Sequence, residues 1–139
     1  MNSPKNLNRI THDIIKVAFD VRNQYGRLML ESLYEQVFAI ELTMLGYKVE
    51  RQVPLDIVHK GITIKRAYVI DMLVEDMIPL ELKARTHMGG EEFRQLLTYL
   101  KLADKPVGFL INFGAKEFSF GKMHEEDGKH LHGLYRLIN

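Results

Sequence analysis

The sequence predicts an α/β sandwich, with a central mixed sheet flanked by helices. Three observations carry that expectation. The chain opens with two segments of helical periodicity, continues with three runs in which apolar residues alternate, and then places a third helical segment before two or three more strands.

Each element follows from local pattern. Asn6 to Arg22 sets Ile10, Ile14, Val17, Ala18 and Val21 on one helical face, and a loop through Asn23, Gln24, Tyr25 and Gly26 is expected to end it. A second helix is expected from about Leu28 to Leu45, with Leu30, Tyr34, Val37, Phe38, Glu41, Leu42 and Leu45 near one stripe. Glu31 falls in its first turn, and Gly46 suits its C-terminal cap. Val49 to Val58 and Ile62 to Val74 read as two strands joined at His59-Lys60-Gly61. After a break at Glu75-Asp76-Met77, Ile78 to Ala84 reads as a short strand whose Leu80 and Leu82 point opposite to Glu81 and Lys83. Pro79 cannot donate to a ladder, so irregular pairing is expected around it. Glu91 to Ala103 is the third helix, with Phe93, Leu96, Leu97, Leu100 and Ala103 inward and two acids at its positive end. Val107 to Phe113 reads as a buried strand, Glu117 to Met123 as an edge strand and Leu134 to Ile138 as a last apolar segment.

Composition narrows the chemistry. The 139 residues suit one domain spanning 1–139, with no repeat and no long linker. No cysteine is present, so disulfides, thiolate metal sites and thiol nucleophiles are excluded, and any reaction must use oxygen and nitrogen groups. No apolar run approaches a membrane span and the first residues lack a secretory pattern, which predicts a soluble, cytoplasmic protein without a membrane partner. A net charge of +1 leaves nucleic-acid contact to a local basic surface.

Asp71 lies near the end of one strand, and Glu81-Leu82-Lys83 lies on the strand that the next tight turn brings back beside it. Two converging carboxylates are what a hard cation such as magnesium requires, and a neighbouring lysine can orient an attacking water or stabilise charge on a phosphorane-like transition state. Taken alone, the pattern also fits a solvated strand face carrying surface ion pairs.

Other segments add to the pattern in sequence order: Leu30-Glu31-Ser32-Leu33-Tyr34-Glu35, Glu50 to Leu55, Asp71 to Asp76, Leu80 to Ala84, Gln95-Leu96-Leu97-Thr98-Tyr99, and Leu110-Ile111-Asn112-Phe113-Gly114. Together they resemble the PD-(D/E)xK nuclease superfamily, and within it a small bacterial family, the GxxExxxR group. Leu28 stands where that group's glycine is expected and Glu35 where its arginine would be. Val69 replaces a basic residue common two places before the aspartate.

The resemblance implies a restriction-endonuclease-like αβββαβ core over about residues 26–122. It also implies a magnesium- or manganese-dependent nuclease acting on DNA. Carried over, it makes Asp71, Glu81, the Leu82 carbonyl and Glu31 metal ligands, and makes Lys83 the residue that positions or activates water. Gln95 and Tyr99, four apart on one helical face, would line the same cleft.

Arg85, Arg94, Lys101 and Lys105 flank that presumed cleft and could hold a phosphate backbone. Simpler roles stand beside these: Glu31 as a favourable charge at a helix start, Gln95 and Tyr99 as a buried hydrogen-bonding pair, the cations as solvated surface, and His124, His130 and His132 as a polar loop. Two other function classes fit the same residues. One is a non-catalytic module that binds nucleic acid or a protein partner. The other is an interaction protein that forms a homodimer through an exposed apolar face from Ile10 to Val21.

Overall fold

The computed structural model describes residues 6–122 and 133–139. The first helix, α1, spans Leu7–Tyr25, one turn longer than its apolar pattern indicates. Asn6 caps it by accepting the Asn8 N–H at 2.8 Å. Gly26, at φ 73°, ends it while donating its N–H to the Arg22 carbonyl. The second helix, α2, runs Glu31–Met44, shorter than expected at both ends. Leu28 and Leu30 precede it and are 78% and 77% exposed, and Leu45 at its C-cap is also exposed, so these three lie off the buried stripe. Tyr34, Phe38 and Leu42 form that stripe.

The strands are β1 (Val49–His59), β2 (Ile62–Val74), β3 (Ile78–Lys83), β4 (Val107–Asn112), β5 (Ser119–Lys122) and β6 (Gly133–Ile138), with α3 (Glu91–Leu102) between β3 and β4. Lys60 and Gly61 both have positive φ, the backbone that two-residue hairpin loops need to match strand twist. Glu75 and Asp76 repeat the device between β2 and β3. The sheet order is β1-β2-β3-β4-β6-β5, with β3 parallel to β4, β5 parallel to β6 and the other neighbours antiparallel. β5 is an edge strand, as its pattern predicts. His124, His130 and His132 lie outside the described residues.

Two cores make the sandwich. On one face α1 and α2 pack Ile10, Ile14, Tyr34, Phe38 and Leu42 against Met72, Leu80, Leu82, Phe109 and Ile111. On the other, α3 packs Phe93, Leu96, Tyr99 and Leu100 against Ile70, Leu110, Tyr135 and Leu137. Full burial of each such large side chain stabilises by about 1.5–3 kcal/mol. The apolar face of α1 is consumed here: Ile10, Ile14 and Ala18 are fully buried within one chain. The expectation of an exposed α1 dimer face is therefore corrected, because that face covers the sheet of its own molecule.

Pro79 also departs from expectation. It is register-paired with Leu73 without a shift, and the β3–β4 register begins only at Leu80, so the proline stands ahead of that ladder. The irregularity falls two residues later, at Glu81.

Candidate metal and catalytic site

Between β2 and β3 the register runs Val74↔Ile78, Leu73↔Pro79, Met72↔Leu80 and then stops. Beyond it, side chains take over from main chain. The Asp71 N–H donates to Glu81 Oε1 at 3.2 Å, and the Leu82 N–H donates to Asp71 Oδ2 at 2.8 Å. Each carboxylate satisfies a backbone donor that the parted ladder leaves over.

The parting coincides with a change of face. Val49 packs on the α1/α2 core while Val53 and Leu55 pack on the α3 core; on the partner strand, Met72 belongs to the first core and Ile70 to the second. The switch centres on Gln52 and Asp71, which lie between the register pairs Arg51↔Met72 and Val53↔Ile70. Gln52 has φ 52°, a left-handed conformation rare in a strand. Its amide contacts both Asp71 Oδ1, at 3.4 Å, and the carboxylate of Glu35 on α2, at 3.2 Å.

On β3, Leu80 and Leu82 enter the α1/α2 core, so pleating turns Glu81 and Lys83 to the α3 side, level with Leu110 and Asn112 of β4. Lys83 Nζ lies 3.5 Å from Glu81 Oε2. Glu81 is only 3% exposed. Burial, with the Asp71 charge adding to it, pushes its carboxyl up to about 7, and the Lys83 ammonium opposes the shift. Burial raises Asp71 as well, against the Leu82 N–H and Lys83.

Tyr68 is a member of this site that sequence reasoning missed. Its hydroxyl is buried without a hydrogen-bond partner, and Glu81 faces it without reaching hydrogen-bond geometry. Burial and then the charges of Glu81 and Asp71 hold the phenol far above its ordinary value. Its ring meets Tyr99 of α3, centroids 5.9 Å apart. Tyr68, Gln95 and Tyr99 line one cleft between α3 and the β1–β2 hairpin.

Glu31, the first residue of α2, approaches from the end of β3. Its Oε1 accepts the Ala84 N–H at 3.2 Å and lies 3.9 Å from Arg85 Nε. Tyr34 fixes this approach: its hydroxyl donates to the Gly26 carbonyl and accepts from the Met29 N–H, while its ring stacks on Phe113 at 4.3 Å. One turn further, Glu35 stands at the position of the pattern's arginine and accepts from Arg51 Nε at 3.1 Å.

Asn112 and Gly114 explain the Asn112-Phe113-Gly114 segment physically. The buried Asn112 amide accepts from Arg85 N and Gly114 N and donates to Arg85 O. A Cβ on Gly114 would fall 2.5 Å from Arg85 N. Only glycine lets the two chain segments approach this closely.

The expected phosphate-binding cations divide. Arg85 is paired with the buried Glu92 on α3 and lies near Glu31, so its charge is largely used internally. Lys105 donates to the Asp76 carbonyl in the β2–β3 turn, at the start of β3 away from the acids. Arg94 is exposed at the cleft, and Lys101 is exposed on the last turn of α3.

Among the described residues no group of three or more His, Asp or Glu side chains surrounds one point. What the site offers is two carboxylates raised by burial, with one lysine against them. That set fits magnesium, which is commonly held by one or two carboxylates and keeps several waters.

A family model described as the PD-(D/E)XK nuclease superfamily matches residues 8–122 of the chain. Comparison with curated proteins and with solved structures returns no match. No helix among the described residues is long and apolar enough to cross a membrane.

Proposed function

Since this chain belongs to the PD-(D/E)XK nuclease superfamily, we propose that it is a divalent-metal-dependent nuclease hydrolysing phosphodiester bonds in DNA. The observation that carries the reading is the meeting of Asp71, Glu81 and Lys83 where the β2–β3 ladder parts. Two acids stand against one lysine there, and a divalent cation would take the place of the proton that burial favours on Glu81.

Asp71 and Glu81 would hold magnesium or manganese, with the Leu82 carbonyl as a further donor. When bound, the ion supplies Lewis acidity and a lowered water pKa. Lys83, held at the pair by Glu81, presents its ammonium to the attacking water or to a phosphoryl oxygen and stabilises charge that grows in the transition state. Gln52 steadies Asp71 against rotation, and Glu31 and Glu35 fix α2 against the two strands. Gln95 and Tyr99 line the approach. Arg94 and Lys101 would hold the phosphate backbone, whereas Arg85 acts as a positioning residue through Glu92. Within the superfamily we place the chain with the bacterial GxxExxxR group, on the Leu30–Glu35 and Leu110–Gly114 segments, and in the cytoplasm.

A second reading is binding without cleavage, supported by Glu31 turning to the Ala84 N–H instead of joining the acid pair. Purified protein incubated with plasmid and single-stranded DNA separates the two. Cleavage that requires magnesium or manganese and disappears in Asp71→Asn and Lys83→Ala is expected. Full activity in either variant rejects the assignments, and salt-sensitive binding without cleavage in any metal selects the second reading.

A further inference from the structure

The cleft that Tyr68 lines has a volume of about 360 Å³ and is walled by Leu55, Ala67 and Tyr68 on the hairpin and by Arg94, Thr98 and Tyr99 on α3. A volume of that size sits at the small end of ligand pockets. Room of that order suits one nucleoside-sized group and is too small for a length of duplex, so a single unstacked base is the unit of nucleic acid it can take.

The lining matches such an occupant. Most of the wall is apolar, and the half-buried ring of Tyr68 is backed by the buried ring of Tyr99 in tilted contact, which makes a rigid aromatic platform. The Arg94 side chain, exposed at the rim, makes no hydrogen bond or ion pair among the described residues, and neither does the side chain of Glu91 beside it on the same helix face. Arg94 is thus open to a phosphate. Tyr68 joins this cleft to the acid pair: it stands three residues before Asp71 on β2 and packs on the α3 side of the sheet, the side to which Glu81 also turns.

We infer that the cleft between α3 and the β1–β2 hairpin receives an unpaired nucleobase next to the scissile phosphate, so that the substrate is single-stranded or frayed nucleic acid. The base stacks on Tyr68, Arg94 holds the adjoining phosphate, and the backbone is thereby led to Asp71 and Glu81. The inference rests on the proposed phosphodiesterase reading of the acid pair.

The test is fluorescence anisotropy of wild-type protein in chelator at low salt, with labelled oligo-dT, oligo-U and a blunt duplex of equal length. Single strands are expected to bind at least about tenfold tighter than duplex, in line with stacking of one or more bases. Thr98→Trp, which fills the cleft from an exposed position, is expected to remove that preference. Tyr68→Phe keeps the ring and retains most of the binding that Tyr68→Leu loses. Tighter binding of oligo-U than oligo-dT assigns the strand to RNA and supports the base site equally. Equal binding of single strand and duplex, or a preference untouched by Thr98→Trp in a protein with unchanged circular dichroism, overturns it. Metal-dependent cleavage without strand preference removes the cleft and keeps the nuclease reading. A preference sensitive to Thr98→Trp without cleavage in any metal does the reverse.

Discussion

Asp71 and Glu81 hold each other through the backbone: the Asp71 N–H donates to Glu81 Oε1 at 3.2 Å where β2 and β3 cease to pair main chain to main chain. A break in a central ladder leaves polar groups that must be satisfied locally, and here the two acids satisfy them. The same act draws both carboxylates to one spot.

Glu81 makes stability depend on pH. Its folded value of about 7 is raised from an ordinary 4.5. Between those values the unfolded chain has lost the proton and the folded one keeps it, so stability falls as pH rises through that window and levels off above it. The whole window corresponds to about 3 kcal/mol at 1.36 kcal/mol per pH unit. Urea denaturation in chelator from pH 4.5 to 8 should show the decline, and Glu81→Gln should flatten it while raising stability at neutral pH. An equal slope in the variant would remove Glu81 as its source.

Because that proton competes for the acid pair, ion binding should release it. Titration calorimetry with manganese near pH 6.5, in buffers of differing ionisation enthalpy, should report release approaching one proton per ion. Asp71→Asn should weaken binding at least about tenfold, the scale set by loss of a charged oxygen ligand. Heats independent of the buffer would speak against Glu81 as a ligand.

Asn112→Ala strands Arg85 N, Arg85 O and Gly114 N, three partners of a buried amide. At about 1 kcal/mol per hydrogen bond, the expected loss is about 3 kcal/mol. Gly114→Ala meets backbone at 2.5 Å and should cost about 1–3 kcal/mol or more. Denaturant midpoints measure both, and a neutral Gly114→Ala would show that the segment yields where the contact says it cannot.

Ile14→Asp places a charge at a fully buried position on α1. The expected outcome is loss of cooperative folding by circular dichroism, since an unpaired buried charge costs several kcal/mol. A folded variant whose mass by light scattering is half that of the wild type would instead restore the dimer reading.

Element order was readable because periodicity is local: the α1 stripe, the Lys60-Gly61 turn and the Leu80/Leu82 alternation each appear within a few residues. Helix ends were less so. Tyr25 continues α1 because Gly26, not the apolar pattern, ends it, and Leu28 falls outside α2, whose extended N-cap Leu30 carries no capping side chain to mark the start. Asp71, Glu81 and Lys83 could be named as a group because one tight turn joins their strands. Tyr68 and Asn112 could not, since their partners lie beyond intervening elements, and Gln52 could not because its left-handed backbone breaks the strand alternation that periodicity reads.

By itself, then, the chain determined which segments are helix or strand and which acids share a hairpin, because those depend on neighbours along the backbone. Only the folded arrangement decided that Arg85 is bound to Glu92, that α1 is buried in its own molecule, and that Tyr68 stands between the acids and a cleft. Those facts depend on which elements pack together, and charge pairing and burial act through space without regard to separation in sequence.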